Sequence, residues 1–193
     1  MATEVSICSN ALRRLGDSPI TSLTEDSERG RLCNAFYEPS RDAILRSHTW
    51  NFAINRANLA KLSTSPAFEY ANQFALPTDP FCLRVLKMEF EDYEFKIENL
   101  AEQGRVLLTD EGEAKIIYIA RVTDPSLFDS MFVDVLTAKL AVDLAYPVTN
   151  STTLQAQMQK LFERKLSEAR SLDSTEGSTD SLISTVFTDF RAP

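Results

Sequence analysis

The chain has 193 residues, an apolar fraction of 44% and a formal net charge of −8. That is enough apolar mass for one folded domain, or for one domain with an inserted module, and its acidity argues against a sequence-independent grip on nucleic acid. The acidity is unevenly placed, because residues 1–56 balance seven arginines against seven acids while 68–122 and 173–193 carry the excess.

Thr3 to Leu15 reads as a first helix, with Val5, Cys8, Ala11, Leu12 and Leu15 on one face and Gly16 as a natural stop. Ser22 and Glu25 have the spacing of a capping box for a second helix. That helix and the plug after it, Glu25 to Arg56, hold the only Trp and the only His. Leu32, Phe36, Ala43, Ile44 and Leu45 form its expected apolar stripe, and Arg29, Arg31, Arg41 and Arg46 its wet face. Pro39 should kink or restart it near Tyr37–Ser40, and Trp50 and Phe52 should bury where it ends. The short connection predicts that the first two helices pack antiparallel. Other elements are expected to pack on this block, with Leu32, Phe36, Ile44, Trp50 and Phe52 in its core.

Beyond Ala57 the helical pattern weakens, and Leu59 and Leu62 fit either a short helix or an extended segment. Residues 68–122 then read as strands: FEYANQFALP, CLRVLKMEF, YEFKIENL, GRVLLT and AKIIYIARV, several with period-two alternation. They predict a small antiparallel sheet inserted into a helical framework, with a hairpin whose loop is Asp110–Glu113. Helical spacing returns after Thr123-Asp124-Pro125, where either of the first two caps a helix beginning at Pro125 and ending near Tyr146-Pro147. A last helix, capped by Asn150 or Ser151, carries Leu154, Met158, Leu161, Phe162, Leu166, Ala169 and Leu172. The expected fold is thus α+β: a bundle of about four main helices, an inserted sheet and an extended C-terminal arm. Its segments are 1–66 and 123–172 for the helices, 67–122 for the β-rich insertion and 173–193 for a flexible link and arm. Leu182, Ile183, Val186, Phe187 and Phe190 give that arm five apolar anchors, which predicts docking on a partner rather than a frayed end.

The chemistry on offer is narrow. One His and three scattered cysteines give no metal-ligand spacing, and five dispersed glycines give no phosphate-binding loop. The cysteines read as free buried thiols in a reducing compartment. His48 reads as the end of a helix beside Trp50 rather than as a catalytic base. A carboxylate pair drawn from Glu89, Glu91, Asp92, Glu94 and Glu98 would suit glycan hydrolysis, but a solvated acidic sheet face accounts for them better, since acid-rich surfaces are commonplace and the aromatics here alternate as core residues. No charged-then-apolar leader or membrane-spanning run is expected, so the chain reads as a soluble protein made in cytosol.

Several stretches resemble the tail tubular protein A family, the head-to-tail adaptor or gatekeeper of short-tailed bacteriophages. They are ICSNALRRLGDSPITSLTEDSERGRLCNAFY, RDAILRSHTWNFAINRANLA and FEYANQFALPTDPFCLRVL, which together span most of the first 86 residues. The most specific piece is Arg41-Asp42-x-x-Leu45-Arg46 followed by Trp50-Asn51-Phe52. Beyond residue 86 the likeness is in the order of elements rather than in letters.

The resemblance implies a helical bundle with a β-rich insertion, a homo-oligomeric ring of twelve copies below the portal protein, and a distal face that receives the tail nozzle, tail tubular protein B. It implies a virion location at the head–tail junction, with DNA passing through the channel without specific binding, no cofactor and no membrane. It also implies a C-terminal segment reaching the portal, here Leu182, Ile183, Val186, Phe187, Phe190 and Arg191. An acidic chain suits such a conduit, since like charge lets DNA slide without sticking. The competing expectations are a glycan hydrolase, as sole or secondary activity, and a free cytosolic regulator.

Overall fold

The computed structural model describes residues 1–90 and 92–176. The anchors of the expected arm, Leu182 to Arg191, and the carboxylate Glu91 lie outside the described residues. Within them the fold is α+β, with four helices and two three-stranded antiparallel sheets.

Helix α1 spans Glu4–Arg14. Thr3 and Ser6 cap it reciprocally, each side chain accepting from the other's backbone N–H, at 3.1 and 2.9 Å. At the far end Gly16 takes φ +78°, and the Gly16 and Asp17 amides return to the carbonyls of Arg13 and Leu12.

Helix α2 spans Glu28–Ser47 and is capped by Ser27, not by the Ser22–Glu25 pair. Glu25 instead accepts from the Ser27 hydroxyl and from the Thr21 amide and hydroxyl, which hold its carboxyl down at about 2. This loop folds tightly onto the helix. A Cβ on Gly30 would lie 2.6 Å from Glu25 Cγ and 2.8 Å from its carbonyl oxygen, so only glycine fits there.

The helix does not restart at Pro39. It loses one backbone bond, yet the turn is pinned by the buried Tyr37, Ser40 and Arg41 on either side, and Ser40 donates to Asp143 at 2.7 Å. The buried stripe is also rotated from the expected one. Cys33, Tyr37, Ile44 and Leu45 face inward, Leu32 and Phe36 are half-buried against the core, and Ala43 is exposed. Arg41, assigned to the wet face, is 2% exposed; it bonds Asp42 and lies 6.0 Å from the Tyr37 ring.

The helices are organised by α3, Ser130–Thr149, rather than by α2. Asp129 caps it; Asp124 caps only the preceding 3-10 turn, Pro125–Leu127. It runs through Pro147 to a left-handed Asn150. It is buried nearly all round, and α1, α2 and α4 (Thr152–Asp173) each pack mainly on it. So α1 and α2 barely touch each other, because each spends its apolar face on the same third helix. Two α3 carboxylates carry the polar links: Asp134 pairs with Arg14 and with Lys165, and Asp143 accepts from Ser40. Helix α4, capped by Ser151, lies outermost, so its stripe is half-buried and Leu172 is 52% exposed.

Six strands follow: β1 Ile54–Asn58, β2 Asn72–Ala75, β3 Cys82–Met88, β4 Lys96–Leu100, β5 Gly104–Thr109 and β6 Lys115–Ala120. One sheet has the order β1-β6-β3 and the other β2-β5-β4. Two expectations change. Residues 1–66 contain a strand, since β1 leaves the Trp50 plug and pairs with β6 from Ile54↔Ile119 to Asn58↔Lys115. And GRVLLTDEGEAKIIYI is not a hairpin, because β5 and β6 belong to different sheets; the hairpin is β4–β5, closed from Leu100↔Gly104 with Gly104 at φ +70°. The physical reason is burial on both faces. Each three-stranded sheet has one central place, and the two strands with near-continuous apolar runs, Val106-Leu107-Leu108 and Ile116-Ile117-Tyr118-Ile119, take one each.

The layers are therefore helices, first sheet, second sheet. Strand β6 is the shared wall. Ile119 joins Leu83 in the helical core around Trp50 and Phe132, while Ile116, Tyr118 and Ala120 join Phe74, Met88 and Leu107 between the sheets. Leu59 also enters that second core, as part of an extended segment.

Candidate functional site

The end of α2 builds an aromatic side-chain cluster. Trp50 is fully buried, and its indole N–H donates to the Ile44 carbonyl at 3.0 Å. Around it stand His48 at 4.8 Å, Phe132 at 5.2 Å and Phe52 at 6.3 Å between ring centroids. Phe52 in turn meets Phe128 and Phe132. His48 is turned to the end of α4, with Nε2 3.0 Å from Asp173 Oδ2. The other Asp173 oxygen accepts from the Asn51 amide, and Arg170 donates to Ser47. This ties the last turn of α4 to the last turn of α2, so the sole imidazole and its carboxylate serve as a clasp between helix ends.

The three cysteines are free and buried. Cys8 and Cys33 face each other across α1 and α2, and the contact pushes the Cys8 thiol up and the Cys33 thiol down. Among the described residues no group of His, Cys, Asp and Glu is arranged to hold a metal ion, and no helix is long and apolar enough to cross a membrane.

Of the acids singled out for hydrolysis, Glu98 sits within β4 and lines the cleft at the other end, whereas Glu89, Asp92 and Glu94 lie at the end of the sheets farthest from the helices. There the β3–β4 loop (89–95) and the β5–β6 loop (110–114) form a rim. Thr109 donates to the Glu94 carbonyl at 2.8 Å, and Asp110 accepts from the Ala71 amide at 2.8 Å. Glu89 pairs with Lys115 at 2.9 Å and Glu98 with Lys96 at 3.2 Å. Glu89, Phe90, Tyr93, Glu111 and Glu113 line a cleft of about 330 Å³. Burial first, and then the nearby carboxylates of Glu111, Asp92 and Glu89, push the Tyr93 hydroxyl up. Phe90 stacks edge-on against Tyr93 at 5.1 Å and is still 52% exposed. The rim is thus an acidic surface with an aromatic ring at its centre.

The opposite end of the same sheets is basic, which sequence patterning did not reveal. Arg46 from α2, Arg84 from β3 and Arg105 from β5 line a cleft of about 430 Å³ together with Val85, Ile97, Asn99 and one carboxylate, Glu98, which pairs with Lys96. These arginines are 21 to 59 positions apart, so only the folded chain brings them together. Arg46 donates to the Leu83 carbonyl, Arg105 to the Cys82 carbonyl, and Arg84 to Thr49 Oγ1 at 3.1 Å. None of the three forms an ion pair with a carboxylate among the described residues. Arg84 Nε is buried there without a hydrogen-bond partner. Burial pushes the Cys82 thiol up, and the positive charges of Arg105 and Arg46 partly offset this.

Of the residues proposed as structural core, Ile44 and Trp50 are buried, and Leu32, Phe36 and Phe52 are half-buried against the same cluster. Compared with protein-family models the chain matches none, and compared with curated proteins it likewise finds no match.

Proposed function

We propose that this chain is a structural subunit of a short-tailed phage: a ring-forming head-to-tail adaptor that joins the portal to the tail nozzle and extends the DNA channel. The observation that carries the reading is the resemblance of residues 7–37, 41–60 and 68–86 to the tail tubular protein A family, with Arg41-Asp42, Leu45-Arg46 and Trp50-Asn51-Phe52 at its centre. The fold is compatible with it, being helices that carry a β-rich module. The same residues have structural work here: Arg41 and Asp42 hold a polar link within the core, and Trp50 anchors the plug. In this reading the helices form the body of the ring, residues 182–193 grip the portal, and the net negative charge keeps DNA from sticking to the conduit.

The test is to mix the purified protein with the portal protein of the same phage and image the product. An added ring on one face of the portal is expected, with no added ring when residues 177–193 are deleted from a chain that still melts like the parent. A bare portal with the full chain overturns the adaptor reading. Full binding by the truncated chain overturns only the arm.

A further inference from the structure

The β module is electrostatically polar along its strands. The acidic rim sits where β4 and β6 begin and β5 ends. The arginine cleft sits about 20 Å away, roughly one six-residue strand length, where β3 begins and β5 starts out from its turn. The two ends are complementary in kind as well as in sign. The cleft offers three guanidiniums against one carboxylate, Glu98, with Val85 and Ile97 beside them, and the rim offers carboxylates around the exposed Phe90 ring. Within one copy the strand length keeps them apart.

We propose that the acidic rim of one copy seats in the arginine cleft of a second copy, with Glu111 and Glu113 facing Arg46 and Arg84 and Phe90 lying over Val85 and Ile97. Such a contact joins two different surfaces, so each copy keeps one free rim and one free cleft. Repetition then generates a closed ring or an open filament according to the rotation per copy. The arginines, which form no ion pair with a carboxylate among the described residues, gain such partners, and the aromatic ring supplies the apolar anchor such interfaces use. This deepens the ring reading above and rests on it for closure, but the pairwise contact stands on charge and geometry alone.

A charge swap tests it. One variant carries Arg46→Glu and Arg84→Glu, the other Glu111→Lys and Glu113→Lys; both remain net negative, so bulk attraction does not drive their mixing. Sedimentation velocity is run at about 1 mM protein in about 0.01 M salt, where surface charges are screened least. The parent is expected to self-associate and to lose this at high salt. Each variant alone is expected to associate at least about tenfold more weakly, and an equimolar mixture to recover to within about threefold of the parent. Melting temperatures check that both variants fold; if the cleft double variant does not, Arg84→Glu alone replaces it, since among the described residues the Arg84 side chain bonds only Thr49.

A monomeric parent, a variant that associates like the parent, or a mixture no better than its components overturns the proposal. Portal binding separates the two readings. Variants that still decorate the portal singly leave the adaptor reading standing without this contact. A parent that associates through the contact but ignores the portal leaves the contact standing without the adaptor.

Discussion

The two cores of this protein are built by opposite means. The helical core is large and aromatic and closes around one element, α3, against which α1, α2 and α4 each spend their apolar faces. Its polar links, Arg14–Asp134–Lys165, Ser40–Asp143 and Arg41–Asp42–Arg121, are anchored inward and tie helices to one another or to the sheet. The core between the sheets is small, and much of the charge around it points outward, at one end as carboxylates and at the other as guanidiniums. The difference teaches where stability resides and where recognition can be read. The helical side turns its ion pairs inward, whereas the β module presents charge and an exposed aromatic ring at its two ends.

The strongest way to break this comparison is Trp50→Ala. It removes the largest fully buried side chain and the indole bond to Ile44, and should cost about 3–5 kcal/mol. For a chain of this size that lowers the melting temperature by roughly 10 °C. Because β6 lines both cores, circular dichroism should show helix and sheet lost in one transition. A melting temperature within a degree or two of the parent, or two separate transitions, would contradict the shared wall.

A smaller effect sharpens the account of the inward polar links. Burial raises the Asp134 carboxyl, but the Lys165 and Arg14 side chains that bond it more than offset this and leave it below the ordinary range. A carboxyl depressed in the folded state contributes stability above its unfolded value, about 4, and loses it as pH falls through the lowered value. Asp134→Asn should therefore cost about 1 kcal/mol at pH 7, the group being partly exposed, and the difference from the parent should shrink on acidification toward pH 2. A gap that stays constant with pH would show that the carboxylate's charge is not what holds α1 and α4 to α3.

The smallest expected effect is Tyr37→Phe. The Tyr37 hydroxyl is buried with no hydrogen-bond partner among the described residues, and burial pushes it up from its ordinary value. Removing an unpaired buried hydroxyl should leave stability unchanged or raise it by up to about 1 kcal/mol. A loss larger than that, measured by denaturant titration, would reveal a partner for the hydroxyl.

Local signals carried much of the helical half. Thr3, Gly16, Ser151 and the apolar spacing of the first and last helices act within a few residues, so they are legible in a linear chain. Where a local pattern misled, a neighbour had overruled it. Pro39 does not end its helix because buried side chains on either side hold the turn, Pro147 is carried by the buried Leu144 and Ala145 that precede it, and Glu25 serves a loop rather than a cap because Gly30 lets that loop fold back. The stripe of α2 turned by about one residue because Cys33 and Tyr37 face the interior while Ala43 does not.

For the β module and the candidate site, the chain by itself determined which residues can be strands and that the acids cluster in 89–113, since alternation and charge are properties of neighbours in sequence. Only the tertiary structure decided which strands pair. That choice depends on which strands must be buried on both faces, so β5 and β6 take the centres of separate sheets instead of forming one hairpin. The same folding decided which distant side chains converge. Arg46, Arg84 and Arg105 are unremarkable where they stand in the sequence, and become a single electropositive cleft only when a helix end and two strands from different sheets converge.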